Sequence, residues 1–340
     1  MHARSQANLE RMTGSDARVG DLDERTVLAH ILDRVGPTGA LLGPGDDAAV
    51  LAAPGGRIVA SVDTLVHGPD FRTAWTDGFS LGWKAAAVNL ADIAAMGARP
   101  TSLLVALAMP PETTLGEVGA IADGLRAACA ELAPGCAVDG GDLAVSDTLT
   151  VAVTALGVLE GSGPVTRSGA RDGDVLAVSG RLGPAARGLS LLFERFRDGA
   201  GRPIPPRTAD LTADERGDLD AQLRPRPPIA DGRRAAEAGA TAMMDVSDGL
   251  LLDAARMARA SSVTLDIDSA ALGGDASTAL TGGEDHALLA TFPAGVRLPG
   301  SFAAIGRVRE GAAPGVLVDG EEPRGRGGWD PYQDWDRGRG

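Results

Sequence analysis

Acidic residues that follow apolar segments are the part of this 340-residue sequence best suited to chemistry. GPGDDAAV ends at Val50 and DVSDGL ends at Leu250, and each contains a pair of aspartates. SVDT, NLAD and DGGD contribute further acids, giving six aspartates that close apolar runs: Asp47, Asp63, Asp92, Asp142, Asp245 and Asp248. The ends of strands are where α/β folds present side chains to ligands, and Mg²⁺ prefers carboxylate oxygens. The pattern predicts an enzyme that handles a magnesium-bound phosphate.

Turn and cap chemistry is the competing interpretation of these motifs. A single Gly-Asp-Asp is more typical of a turn, because Asp accepts from nearby backbone N–H groups. Asp245, Ser247 and Asp248 could likewise cap a helix that begins at Gly249. This explanation does not cover the whole set, because six gathered carboxylates would repel one another unless cations were bound.

Other phosphate-binding and hydrolase signatures are missing or unconvincing. GPGDDA matches the GxGxxA dinucleotide pattern formally, but its two aspartates would repel a pyrophosphate. The sequence contains no GxxxxGK[ST] and no HRD with DFG, which disfavours the common kinase classes. GFSLG at residues 78–82 matches the GxSxG of hydrolases formally, but no apolar strand directly precedes it as a nucleophile elbow requires. The common hydrolase class is therefore disfavoured as well.

Charge and composition restrict the partners. The net charge of −14 argues against nucleic acid and anionic membranes, which both require a positive surface. Two separated cysteines and four dispersed histidines disfavour a structural zinc site and a disulfide framework. The N-terminal segment lacks the apolar core of a signal peptide, and no apolar run is long enough for a membrane span. We therefore expect a cytoplasmic protein.

Periodicity and turn residues predict alternating strands and helices, and hence an α/β or α+β fold. Residues 1–22 are expected to be a disordered extension, 23–162 an N-terminal domain and 163–340 a C-terminal domain, with the boundary in the turn-rich segment 161–174. A polar insertion is predicted at about 198–227. Helices are predicted at 24–35, 77–96, 184–196, 229–239 and 249–260. Strands are predicted at 57–66, 101–109, 137–141, 148–159, 175–180, 242–246, 263–268, 286–292 and 301–308.

Three other residues have chemical potential but an open interpretation. Arg167, in TRSG, is either a phosphate contact or a solvated linker arginine. Trp329 is either a packing anchor or a plate on which a heteroaromatic ring stacks. Lys84 is the only lysine in a chain that otherwise uses arginine, which indicates a position that requires a compact ammonium.

The motifs taken together resemble the thiamine-monophosphate kinase family, in order and over most of residues 24–332. The segments that carry the resemblance are GPGDDAAV, SVDTLV, WKAAAVNLADIAAMGA, DGGD, TRSGA, DVSDGL, TGGED and GGWD. The family belongs to the PurM-like superfamily of aminoimidazole-ribonucleotide synthetase. The resemblance implies a homodimer joined through N-terminal sheets, with ATP in a cleft between the domains and thiamine monophosphate as the phosphoryl acceptor.

The resemblance also implies roles for individual residues. The magnesium ligands would be Asp47, Ser61, Val62 through its backbone, Asp63, Asp92, Asp142, Asp245 and Asp248. ATP would contact Gly141, Asp142, Arg167 and Ser247, while the thiamine moiety would contact Glu284 and Trp329. Asp70 of HGPDF stands where relatives often have a histidine, so that either Asp70 or His67 is expected to contact the substrate. No residue is expected to act as a covalent nucleophile.

Two alternatives remain open from the sequence. One is another ATP-using enzyme of the superfamily, of the selenophosphate or aminoimidazole-ribonucleotide synthetase type. No cysteine precedes Cys129, which disfavours the first of these. The other is a non-catalytic protein that binds a nucleotide or metal ions.

Overall fold

The computed structural model describes residues 16–18, 21–22, 24–37, 57–160, 163–311, 313–325 and 327–328. Asp47 and Trp329, two of the predicted site residues, lie outside this part of the chain. The described residues form ten strands in two sheets, together with eight α-helices. The predicted mixed α/β class is confirmed. None of the helices in the described ranges is long and apolar enough to cross a membrane.

The first sheet has four strands in the order β1-β4-β2-β3, in which β2 and β3 are parallel and the other neighbours antiparallel. The strands are β1 (Ile58–Val66), β2 (Arg99–Met109), β3 (Ala137–Val145) and β4 (Thr150–Val158). The residues that alternate along β4 at Val151, Val153 and Ala155 are fully buried. One face of this sheet is therefore covered.

Helices α1 (Glu24–Val35), α2 (Gly78–Ala95) and α3 (Leu115–Leu132) accompany this sheet. Asp77 caps α2, since its side chain accepts from the backbone N–H of Ser80 at 2.7 Å. The two longer helices pack very closely: a Cβ atom placed at Gly82 would lie 2.0 Å from the carbonyl oxygen of Ile121. Helix α2 is buried on almost every side, which places its polar residues in the interior.

The second sheet has six strands in the order β10-β7-β9-β5-β8-β6. They are β5 (Val175–Ser179), β6 (Ala242–Val246), β7 (Thr264–Ile267), β8 (Ala287–Phe292), β9 (Ala303–Arg309) and β10 (Gly315–Val318). The helices of this half are α4 (Pro184–Arg195), α5 (Ala213–Leu223), α6 (Ile229–Glu237), α7 (Leu250–Ser261) and α8 (Ala276–Thr281). Helix α6 approaches α2 so closely that a Cβ at Gly232 would lie 2.0 Å from the carbonyl oxygen of Ala94.

The structure adds elements that the sequence patterns did not predict. The sequence patterns predicted no element in the segments that form α3, α8 and β10. The polar insertion contains a 3₁₀ turn at Thr208–Asp210 and the helix α5, which begins with a capping box between Thr212 and Glu215. Within the predicted extension, the carbonyl of Ala17 accepts from the backbone N–H of Leu115. The proposed domain limits stay a prediction.

Candidate functional site

The first group of predicted ligands lies where β1 contacts α2. The hydroxyl of Ser61 donates to Oδ2 of Asp92 at 2.6 Å, and Oδ1 of Asn89 accepts from the backbone N–H of Asp63 at 3.0 Å. Asn89 and Asp92 therefore face β1 from one side of α2, because residues three apart share one face of a helix. Ser61, Asp63 and Asp92 form one contiguous polar group.

The second group lies between β6 and α7. Asp245 belongs to β6, and Ser247 and Asp248 follow in the turn before α7. Asp253, which is fully buried, folds back over this turn and accepts from the backbone N–H groups of Ser247 (3.1 Å) and Asp248 (3.0 Å). Nη1 of Arg256 donates to both Asp248 and Asp253 at 2.6 Å. The sequence patterns missed Asp253 and Arg256, which fix the shape and charge of the turn.

The TGGEDH turn closes over this group. The backbone N–H of Glu284 donates to the carbonyl of Ser247 at 2.9 Å. Glu284 and His286 have positive φ angles of 71° and 53°, so the turn holds two non-glycine residues in the left-handed region. Nδ1 of His286 lies 3.1 Å from Oδ2 of Asp245 in the buried interior. From the sequence, His286 was only one of four dispersed histidines. Its contact with Asp245 could not be predicted, because it depends on the pairing of β6 with β8.

The two groups of acids influence each other electrostatically. Burial raises the pKa of Asp92 to about 7, and the charges of Asp245 and Asp63 add to this shift. Burial also raises the pKa of Asp63. The charge of His286 lowers this pKa in part, whereas the charges of Asp245 and Asp248 raise it further. The fold therefore brings carboxylates of both halves of the chain close enough to repel, which is the arrangement that a bound cation would relieve.

Metal binding has a suitable donor set but no preformed cluster. Among the residues that the structure describes, no group of three or more acidic, histidine or cysteine side chains is arranged to hold a metal ion. The donors that converge are hard oxygens of carboxylates and a hydroxyl, which are the ligands of Mg²⁺ rather than of zinc. The assignment of individual residues as metal ligands stays a prediction.

Gly141 and Asp142 lie apart from the other predicted ligands in a single chain. A row of paired residues crosses the first sheet from Asp63 through Val153 and Val105 to Gly141. Since β1 and β3 are the two edges of this sheet, three strand spacings separate Asp63 from Gly141, a distance of about 14 Å. Asp142 belongs to the next row and points to the opposite face from Asp63, because side chains alternate along a strand.

Arg167 lies beside the edge strand that carries Asp245. The backbone N–H of Met243 in β6 donates to the carbonyl of Thr166 at 3.0 Å. The carbonyl of Arg167 accepts from the hydroxyl of Ser261 at 2.8 Å, which fixes the backbone at the end of α7. The Arg167 residue itself is exposed. Its backbone is therefore anchored near β6 while its side chain is accessible to solvent.

Asp70, Lys84 and Glu284 form a third polar group next to the acids. Oδ2 of Asp70 accepts from the backbone N–H of Val66 at 2.7 Å, and the Lys84 ammonium forms an ion pair with Oε2 of Glu284. Burial raises the pKa of Asp70, and the charge of Glu284 contributes to the shift. His67 contacts Phe71 and Thr73 instead. Of the two residues proposed for the substrate position, Asp70 is the one close to Glu284.

Comparison with protein families adds a second line of observation. The chain matches the AIR synthase related protein family, with its N-terminal domain at residues 45–159 and its C-terminal domain at residues 171–298. It is 43% identical over 311 residues to the thiamine-monophosphate kinase of Mycobacterium tuberculosis, covering 87% of both chains. These matches extend through both halves of the chain.

Two solved structures resemble most of the chain. The thiamine-monophosphate kinase of Stenotrophomonas maltophilia superposes with a TM-score of 0.72 and 35% identity, over 88% of this chain and 96% of that one. AaThiL complexed with AMPPCP and TMP gives a TM-score of 0.71 and 30% identity, over 91% and 97% of the two chains. The architecture is thus shared with kinases of known structure.

Proposed function

We propose that this chain, which belongs to the thiamine-monophosphate kinase family, transfers the γ-phosphoryl group of ATP to thiamine monophosphate and produces thiamine diphosphate. The observation that carries the proposal is the convergence of Asp63 and Asp92 from one half with Asp245 and Asp248 from the other. The similar AaThiL, crystallised with AMPPCP and TMP, supports both the nucleotide and the acceptor.

The proposed nucleotide and metal site uses the acids of both halves. Gly141, Asp142, Arg167 and Ser247 would contact ATP. Mg²⁺ would be held by Asp47, Ser61, the backbone of Val62, Asp63, Asp92, Asp142, Asp245 and Asp248. When bound, Mg²⁺ supplies charge neutralisation for the phosphate oxygens of donor and acceptor.

The chemistry requires positioning rather than a catalytic base. The second pKa of a phosphate monoester is about 6, so the acceptor is largely ionised at neutral pH and can attack in line. No covalent intermediate on the protein is needed. Asn89 holds the backbone of Asp63 and Asp253 holds the turn of Ser247 and Asp248, so both fix the geometry that in-line transfer demands.

The thiamine moiety would lie beside the third polar group. Asp70 and Glu284 present carboxylates to a substrate that carries a cationic thiazolium ring, and Trp329 would contact the same moiety. Opposite charge favours a cationic ring over a neutral one in a partly buried site. This arrangement would give the site its preference for thiamine derivatives.

A homodimer formed through the first sheet is part of the proposal. One face of this sheet carries apolar residues that no helix among the described residues covers, including Val62, which is 61% exposed, and the partly exposed Leu104 and Leu156. The same face carries Asp142 at the edge opposite Asp63. In a dimer joined through these faces, Gly141 and Asp142 would serve the active site of the partner. Each active site would then contain all the predicted ligands, which lie apart from one another in a single chain.

The reaction is tested directly with purified protein, ATP, Mg²⁺ and thiamine monophosphate. Mass spectrometry should detect thiamine diphosphate and ADP in equal amounts, with no product when either substrate is omitted. ATP-dependent formation of aminoimidazole ribonucleotide or selenophosphate, and no phosphorylation of thiamine monophosphate, would assign the chain to another reaction of the superfamily. Nucleotide binding without turnover would indicate a non-catalytic protein.

A further inference from the structure

Lys84 connects the two halves of the molecule at the proposed substrate site. It is the only lysine of the chain and lies on α2 with 3% of its surface exposed. A buried ammonium is costly unless it is paired, and the Lys84 ammonium is paired with Oε2 of Glu284 in the TGGEDH turn. The interior position of this cation is therefore tied to Glu284.

Gln222 binds the same carboxylate from a third direction. It lies on α5, within the insertion at 198–227, and its Nε2 donates to Oε2 of Glu284 at 3.1 Å. Gln222 is only 5% exposed, and its Oε1 atom has no hydrogen-bond partner among the residues that the structure describes. Burial of an amide with one unsatisfied oxygen has an energetic cost, which indicates that the contact with Glu284 has a specific use.

The insertion is fixed to the first half of the chain by two tryptophans. Nε1 of Trp83, the neighbour of Lys84, donates to the carbonyl of Pro225 at 2.8 Å. Nε1 of Trp75 donates to the carbonyl of Phe196 at 3.0 Å. Both ends of the insertion are thus anchored, so α5 presents Gln222 to Glu284 from a defined position.

The two donors leave Glu284 charged and accessible. Both bind the same oxygen, and 40% of the Glu284 side chain remains exposed. Burial would raise the pKa of Glu284, but the Lys84 charge and hydrogen bond outweigh it and hold that pKa below its usual range. Lys84 also balances Asp70, which would otherwise face Glu284 as a like charge.

We propose that Lys84 and Gln222 form a clamp on Glu284: they are positioning residues that hold the Glu284 carboxylate as an anion toward the cationic thiamine moiety. The insertion that carries Gln222 is then part of the substrate site. This inference rests on the proposed function, because it assigns the clamp to the acceptor and not to ATP. Lys84 and Gln222 touch neither reacting group and act through Glu284.

Steady-state kinetics of the full-length protein test the clamp. Lys84→Met keeps an unbranched side chain that is one atom shorter and removes the charge, and should raise KM for thiamine monophosphate roughly tenfold while leaving KM for ATP within about twofold. Gln222→Leu should give a smaller increase of the same kind. Lys84→Arg retains the charge and should recover part of the loss.

A matched control separates the clamp from general stability. Arg309→Met breaks the ion pair of Arg309 with the buried Asp266 between β9 and β7, which involves neither α5 nor Glu284. It should lower Tm without changing either KM. Thermal unfolding of each variant establishes that differences in KM arise from folded protein.

The kcat/KM preference for a cationic over a neutral substrate would not change if Lys84 and Gln222 had only a structural role. The probe is an analogue of thiamine monophosphate in which a thiophene replaces the thiazolium ring. The kcat/KM preference of the wild type for the cationic substrate should fall in Lys84→Met and in Glu284→Gln alike.

The outcomes distinguish this inference from the proposed function. Wild-type protein that does not phosphorylate thiamine monophosphate would overturn both. An active wild type together with folded Lys84→Met and Gln222→Leu variants of unchanged KM and unchanged preference would overturn the clamp alone. So would an equal rise of the two KM values. If Lys84→Met does not fold, Gln222→Leu decides by the same criteria.

Discussion

Asp63 and Asp142 lie at opposite edges of the same four-stranded sheet and on its opposite faces. Two strands, β4 and β2, separate them, so one chain cannot bring both carboxylates to one phosphate. If both are needed for turnover, the active site requires two copies of the chain.

Mixing two inactive variants tests this arrangement. Asp63→Asn and Asp142→Asn should each be inactive alone, whereas a refolded equimolar mixture should recover about a quarter of wild-type activity. Half of the dimers would be mixed, and each of these would contain one intact site of two. Activity is measured as thiamine diphosphate formed per milligram. A mixture without activity would place Asp142 in its own chain's site, whereas an Asp142→Asn variant that is active alone would place Asp142 outside the mechanism.

The sheet face that carries Val62 should determine the oligomeric state. Leu104→Asp introduces a charge beside Thr154, which is the strand partner of Val62, and should convert the protein to monomers of low activity. Sedimentation equilibrium measures the mass. Ile204→Asp is the control, because Ile204 is an exposed apolar residue of the insertion (39% exposed) and should leave the mass unchanged. A dimeric Leu104→Asp variant would contradict the proposed interface.

Asp248→Asn tests the metal assignment without a change of volume. Loss of this charge should lower kcat at least about a hundredfold while the variant remains folded. Asp220→Asn makes the same substitution at a surface ion pair with Arg224 and should keep full activity. Activity of Asp248→Asn within a fewfold of wild type would exclude a role for Asp248 in metal binding.

Removal of metal should reveal the cost of burying Asp92. Its pKa is about 7 in the folded chain, above the value of 3.8 that applies when it is unfolded, so the folded state binds more protons between these pH values. In EDTA, the free energy of unfolding should therefore fall as pH rises through this window. Urea unfolding of Asp92→Asn should show a smaller fall, since the titrating group is gone. Parallel pH profiles for the two proteins would contradict this account.

Local sequence determined much of the architecture. Asp77 before an apolar helix and Gly97 with Pro100 after it identify α2, which the structure confirms at Gly78–Ala95. All strands except β10 follow from apolar runs. Of the acids expected where such runs end, Asp245 and Asp248 lie at the end of β6 and in the turn after it, whereas Asp63 and Asp142 lie within β1 and β3 and Asp92 lies within α2. Helix ends and apolar runs depend on neighbours in the chain, which is why they can be inferred from the sequence alone.

Helix α3 shows where local signals fail. Its sequence includes Gly116, Gly119 and Gly124, which disfavour a helix in isolation. In the folded chain a Cβ at Gly124 would lie 2.0 Å from the carbonyl oxygen of Phe79, so the absence of a side chain allows close packing against α2. Tertiary packing therefore stabilises this helix although its intrinsic helix propensity is low.

The composition of the site was decided by long-range contacts. The motifs indicated carboxylates that bind metal and phosphate, but not that Asp63 and Asp142 occupy opposite edges of one sheet. Strand order produces that separation, and the pairing of β6 with β8 places His286 against Asp245. Lys84 and Glu284 meet only because α2 packs beneath the TGGEDH turn. A sequence specifies which groups are available, whereas the burial of apolar surface between distant segments determines which of them meet.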